Sequence, residues 1–172
     1  GVIRSDDGGE SWVRINKGLP FVNRWSSSEG ATDFRRDVHL AISPGFGTDQ
    51  TLFGGSPAAD GLYVSRDRGD SWQRLSIASS DSPALVLAIA VSPEFEQDQT
   101  MIASIKGQGL YRSTDGGEYF ELVGSGLVAD NASIEWLEFS PDFGNDLTVV
   151  AASDETLYLS EDGGESWAPV PR

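Results

Sequence analysis

Cysteine is absent from the 172 residues, so the chain has neither a disulfide framework nor a thiolate metal site. Histidine occurs once, at His39, which leaves no material for a His-rich metal centre and argues against a His-based triad. No metal and no cofactor are expected. Basic residues are few: 12 Lys plus Arg stand against 27 Asp plus Glu, a net charge of −15. That balance argues against nucleic acid or an anionic membrane as the main partner, and solubility is its simplest consequence. The longest apolar run, Ala84 to Val91, has eight residues, short of the ~20 needed to cross a bilayer, so membrane insertion is not expected. It suits an innermost strand buried on both faces. An apolar period of 3.6 residues is missing as well, so helix should be nearly absent.

What the chain does have is repetition. The phrase S-x-D-x-G-x-(S/Y)-(W/F), called the box below, begins at residues 5, 65, 113 and 160, with spacings of 60, 48 and 47. Its members are Ser5, Asp7, Gly9 and Trp12, then Ser65, Asp67, Gly69 and Trp72. The third copy has Ser113, Asp115, Gly117 and Phe120, and the fourth Ser160, Asp162, Gly164 and Trp167. A second phrase begins at Ser43-Pro44, Ser92-Pro93 and Ser140-Pro141 and runs through Phe46, Phe95 or Phe143 to an Asp and a Thr. An apolar run precedes each copy and a short β-type run follows it. Another run, such as Gly61 to Val64 or Gly109 to Arg112, leads into the box. Each period therefore holds four short strands, A to D, the size of a β-propeller blade.

Both phrases have a structural reading. Between strands C and D the box aspartate can accept backbone N–H groups from the residues after it and hold a tight reversal. Glycine at the fifth position supplies a left-handed backbone. The aromatic residue starts strand D and packs between blades. The second phrase reads as the A-to-B turn, with Pro ending strand A, Phe filling the apolar layer, and Asp with Thr closing the bend. Acidic residues beside glycine also suggest calcium, but the loop spacing that calcium sites use is met by none of the copies.

The boxes resemble the Asp-box, or BNR, repeats of sialidases, sortilin-type receptors, xyloglucan-degrading hydrolases and a photosystem II assembly factor. The third copy departs from the pattern with Tyr119-Phe120 in place of Ser-Trp. The resemblance implies an all-β propeller built from four-stranded antiparallel blades and favours a secreted or extracytoplasmic location. It says little about activity, because one fold hosts many functions.

Along the chain, 1–16 reads as a half blade of strands C and D, 17–37 as a long loop, and 38–75, 86–123 and 134–171 as blades. About three and a half blades form an arc. The expected explanation is a segment of a longer propeller or a ring completed by several chains, and self-association is expected in either case.

Both phrases fall on one face of such an arc, so binding groups are expected among the variable loops of the other. The long first loop carries Arg24, Trp25, Arg35 and Arg36, and His39, Asp60, Lys106 and Glu135 lie near the same rim. The preferred reading is a non-catalytic binding or scaffold module that takes protein or glycan there. A first alternative is part of a glycoside hydrolase, with carboxylates drawn from Asp37, Asp81 and Asp130 and held roughly 5–9.5 Å apart. A second is an assembly factor in a larger complex. A sialidase-like site would need arginines from several blades, whereas Arg24, Arg35 and Arg36 come from one loop; catalysis by this chain alone is not the preferred reading, because an open arc rarely encloses and dries a site.

Overall fold

The computed structural model describes residues 1–19, 38–56, 59–77, 84–124, 127 and 133–171, with backbone only for Ala59 and Asp60. A two-stranded sheet pairs β1 (Ile3–Arg4) with β2 (Val13–Arg14). Three four-stranded sheets follow. The first is β3 (His39–Ile42), β4 (Leu52–Ser56), β5 (Ala59–Ser65) and β6 (Gln73–Leu75). The second is β7 (Val86–Val91), β8 (Met101–Ile105), β9 (Gly109–Ser113) and β10 (Glu121–Leu122). The third is β11 (Trp136–Phe139), β12 (Val149–Ala152), β13 (Leu157–Ser160) and β14 (Ala168–Pro169). Within each sheet every strand pairs antiparallel with its sequence neighbour, and the chain is an all-β arc of a β-propeller.

Strand alternation decides which side chains meet which blade. In the first full blade Leu52 and Tyr63 turn toward the leading hairpin and bury Val2, Ile15, Leu19 and Trp72 with them. Their neighbours Phe53, Leu62 and Val64 turn the other way, onto Val86, Met101, Ile105 and Phe120 of the second blade. Ile102 and Leu110 of that blade then meet Leu137, Phe139, Val149 and Tyr158 of the third. The core is thus a row of three interfaces between blades. Ala84 to Val91 supplies the innermost strand of the middle blade, and its residues contribute to the interfaces on both sides.

The A-to-B connection is a single helical turn, not a plain bend. Phe46–Asp49, Phe95–Asp98 and Phe143–Asp146 each form one, closed by a left-handed residue, Gln50, Gln99 or Leu147, with φ of 55, 51 and 51°. The phrase explains it: the Ser43 hydroxyl donates to Asp49 six residues later, and Asp49 accepts the Thr51 N–H at 2.8 Å. Joining residues six apart leaves room for one helical turn between them. Phe95 and Phe143 are buried, the former edge-on to Phe53 of the preceding blade at 5.6 Å.

The box aromatics show what a neighbouring blade is worth. Trp72 is 5% exposed and its indole donates to the Ile15 carbonyl at 2.8 Å, whereas Trp12 is 58% exposed and its indole donates to the Gly9 carbonyl of its own turn. Trp72→Ala should therefore destabilise the chain by about 3–5 kcal/mol, and Trp12→Ala by less than about 1 kcal/mol. Chemical denaturation of the two variants checks this, and equal losses would contradict the interface account.

Candidate functional site

The box rim is held by one pattern of bonds used four times. The Ser hydroxyl donates to the Asp Oδ1 at 2.7–2.8 Å in all four copies. The same hydroxyl oxygen accepts the N–H of the fifth-position glycine, at 2.7 Å for Gly9 and Gly69, 2.9 Å for Gly117 and 2.8 Å for Gly164. Asp Oδ1 also accepts the N–H of the seventh residue, Ser11, Ser71, Tyr119 or Ser166, at 2.8–3.0 Å. Where that residue is serine, its hydroxyl reaches Asp Oδ2 as well. Gly117 has φ +95°, and a Cβ there would come within 2.9 Å of Leu75 on the preceding blade, so glycine serves both the turn and the close approach.

These donors favour the ionised carboxylate. The Ser166 hydroxyl and N–H pull Asp162 down from its ordinary 3.8 to about 2. Asp7 is held well below the usual carboxylate range by the same pair of donors from Ser11. Asp115 is lowered chiefly by the Tyr119 N–H, since tyrosine offers no hydroxyl there. Partial burial works against ionisation of Asp67, and the Ser71 and Ser65 bonds outweigh it.

An arginine completes each junction between blades. Arg4 Nη1 donates to the Arg68 carbonyl at 2.6 Å and to Asp70 at 3.0 Å. Arg66 Nη2 reaches the Gly116 carbonyl at 3.1 Å and Glu118 at 3.5 Å. Arg112 meets the Gly163 carbonyl at 3.1 Å and Glu165 at 3.2 Å, and also holds Glu121. Across each junction the targets are the fourth and sixth box residues of the next blade. Sequence reasoning missed these arginines because they do not occupy one repeat position: Arg4 and Arg112 precede the box serine, and Arg66 follows it. An arginine flanking that serine on either side was the available signal. The small pocket lined by Val64, Arg66, Asp67, Ser71 and Gln73 lies within this same bonding.

Three of the residues expected to bind are described in full, at the rim opposite the boxes. His39 opens β3, half-buried and opposite Gly55. Lys106 is exposed in the turn after β8, its N–H on the Leu85 carbonyl at 2.8 Å. Glu135 is exposed just before β11, its N–H on the Ala152 carbonyl at 2.9 Å. The topology sets these three on one rim. Asp60 has its backbone in β5 and its side chain outside the described residues. Arg24, Trp25, Arg35 and Arg36, and the carboxylates Asp37, Asp81 and Asp130, also lie outside the described residues. Among the described residues, no three His, Cys, Asp or Glu side chains gather as metal ligands, and no helix is long and apolar enough to cross a membrane.

Repeated blades with this box identify the lineage. The Sortilin-Vps10 family model, described as sortilin, neurotensin receptor 3, matches residues 60–172. The chain belongs to that family. This Sortilin-Vps10 chain is also 23% identical to an oligoxyloglucan-reducing end-specific xyloglucanase of Emericella nidulans, over 99% of the chain and 24% of the enzyme. It thus spans about a quarter of the curated relative's length. The crystal structure of a GH74 xyloglucanase from Xanthomonas campestris superposes with a TM-score of 0.67 at 18% identity, covering 99% of this chain and 27% of that one. YCF48 from Cyanidioschyzon merolae gives 0.63 at 20% identity, with 98% and 52% covered. At these identities the two structures speak for the propeller fold alone.

Two measurements test the box rim. A carboxylate whose folded pKa is depressed contributes stability in full above its ordinary value and loses it as the pH falls through the folded one. For Asp162 that window runs from 3.8 down to about 2. The denaturation midpoint should therefore drop across this range, and drop less in Asp162→Asn, which cannot titrate there. At the junctions, Arg112→Lys loses the fork that holds a carbonyl and two carboxylates and should cost roughly 1–2 kcal/mol. Arg66→Lys, at a more exposed site, should stay within about 0.5 kcal/mol. Denaturant titration at low salt compares the two.

Proposed function

We propose that the four repeats are Asp-boxes serving as structural turns, and that the chain is a non-catalytic binding or scaffold section of a propeller that takes protein or glycan on its variable-loop rim. The observation that carries this reading is the commitment of the box rim to structure. The serine, aspartate and glycine of every box are bonded within the turn, and the flanking arginines hold the next blade. Binding is left to the other rim, where loops differ from blade to blade. Arg24 and Trp25 are the leading candidates, with Arg35, Arg36, His39, Asp60, Lys106 and Glu135 around them. Trp with Arg supplies a flat apolar surface beside a forked donor, a combination that suits sugar rings and protein side chains. An extracytoplasmic location fits the family.

A second reading is favoured by the similarity to a xyloglucanase along 99% of the chain. On it, these blades are part of a glycan-hydrolysing propeller, and Asp37, Asp81 and Asp130 are the carboxylates to examine. An assembly role in a larger complex is a third use of the same rim.

Glycan-array and pull-down measurements on the chain, paired with a xyloglucan hydrolysis assay, separate these uses. Binding without turnover, weakened at least about tenfold in Arg24→Ala/Trp25→Ala at unchanged stability, is the expected result. Hydrolysis lost on replacing Asp37, Asp81 or Asp130 by Asn would move the assignment to the second reading.

A further inference from the structure

The outer strand of the middle blade departs from the repeat at two positions. Tyr119 stands where the other boxes have Ser11, Ser71 and Ser166, and Leu122 where the other outer strands have Arg14, Arg74 and Pro169. The two side chains are 63% and 50% exposed. Both departures add apolar surface to one edge, that of the blade flanked by a full blade on either side.

The position of Leu122 matters because of where its backbone points. Among the described strands β10 pairs with β9 alone, at the edge of its sheet. The Val123 N–H turns inward to the Leu110 carbonyl at 2.9 Å, so alternation turns the N–H and carbonyl of Leu122 outward. The third blade shows the same direction. There Val170 bonds Leu157 in the same way, and the residue before it is Pro169, which has no N–H to offer. Charged side chains and proline are means of keeping a sheet edge from recruiting another strand. Arg14, Arg74 and Pro169 supply them on the other blades, and Leu122 does not.

Charge decides what can be added. Glu118 and Glu121 are exposed on this edge, the first 3.5 Å from Arg66 and the second held by Arg112 at 2.6 Å. Two copies joined through β10 would bring both pairs of carboxylates onto one short strand pair, with a net charge of −15 on each chain. Self-pairing is disfavoured for that reason, and a cationic strand is favoured.

We propose that β10 accepts an extended segment of another protein, alternating basic and apolar residues, as an added antiparallel or parallel strand, with Leu122 and Tyr119 as its apolar contacts. This surface is distinct from the variable-loop rim, and the inference stands whether or not that rim binds.

Hydrogen exchange on the full chain tests it, with a capped synthetic peptide of four lysine-valine repeats as the probe. At low salt the peptide should slow exchange of the Leu122 amide at least about tenfold and leave the Arg74 amide unchanged. Fluorescence anisotropy of the labelled peptide should show a glutamate-valine peptide of equal length binding at least about tenfold more weakly. Leu122→Pro copies the residue of the third blade and Leu122→Arg that of the first. Each should weaken lysine-valine binding at least about tenfold at an unchanged denaturation midpoint, and Tyr119→Ser about threefold. A Leu122 amide left unprotected, equal protection of Arg74, or undiminished binding to both Leu122 variants would overturn the proposal. Tighter binding of the acidic peptide, or self-association that Leu122→Pro abolishes, would name a different occupant and overturn it equally.

Discussion

The backbone of the fourth box residue is bonded from both sides, and the arc depends on it. Its N–H donates to the left-handed residue that closes the helical turn of its own blade: Arg68 to Gln50, Gly116 to Gln99 and Gly163 to Leu147, at 2.9–3.1 Å. Its carbonyl accepts the arginine of the blade before. One residue thus joins the two repeated phrases within a blade and joins that blade to its neighbour. It sits in the left-handed region, with φ of 62, 73 and 75°, which is why glycine fills it in most copies. Arg68 accepts that conformation and bonds Asp6 of the leading hairpin with its side chain.

The strands and their order were legible in the sequence because each period carries two turns with fixed punctuation. An aspartate four residues before a backbone amide, with glycine between, describes a reversal before any partner strand is known. Period-2 alternation then divides Leu52 from Phe53 and sends them to opposite interfaces. Less legible was what joins the elements. The helical turn at Phe46–Asp49 is too short to show a period, and the link from Gln50 to Arg68 runs between backbone groups that any residue possesses. The clasp changes sides of the serine from blade to blade, so aligning the repeats hides it. At the candidate site, His39, Lys106 and Glu135 are placed on one rim, and residues 20–37 of the long first loop lie outside the described part.

Charge in this chain is distributed with a purpose that the net value conceals. Cations are scarce, yet Arg4, Arg66, Arg68 and Arg112 all stand on the box rim. Each box brings its own aspartate and an acidic sixth residue to that rim, so neighbouring turns would repel without them. Guanidinium suits the task because its fork reaches a carbonyl and a carboxylate together.

A consequence concerns how such a frame accommodates novelty. Successive boxes are 60, 48 and 47 residues apart, yet Arg4 grips the Arg68 carbonyl as Arg112 grips that of Gly163. Pitch is gauged at one rim and is indifferent to contour length at the other. Segments inserted there lengthen the route between blades without changing the gap. Evolution or an engineer can therefore rewrite those excursions while the ruler beneath them stays fixed.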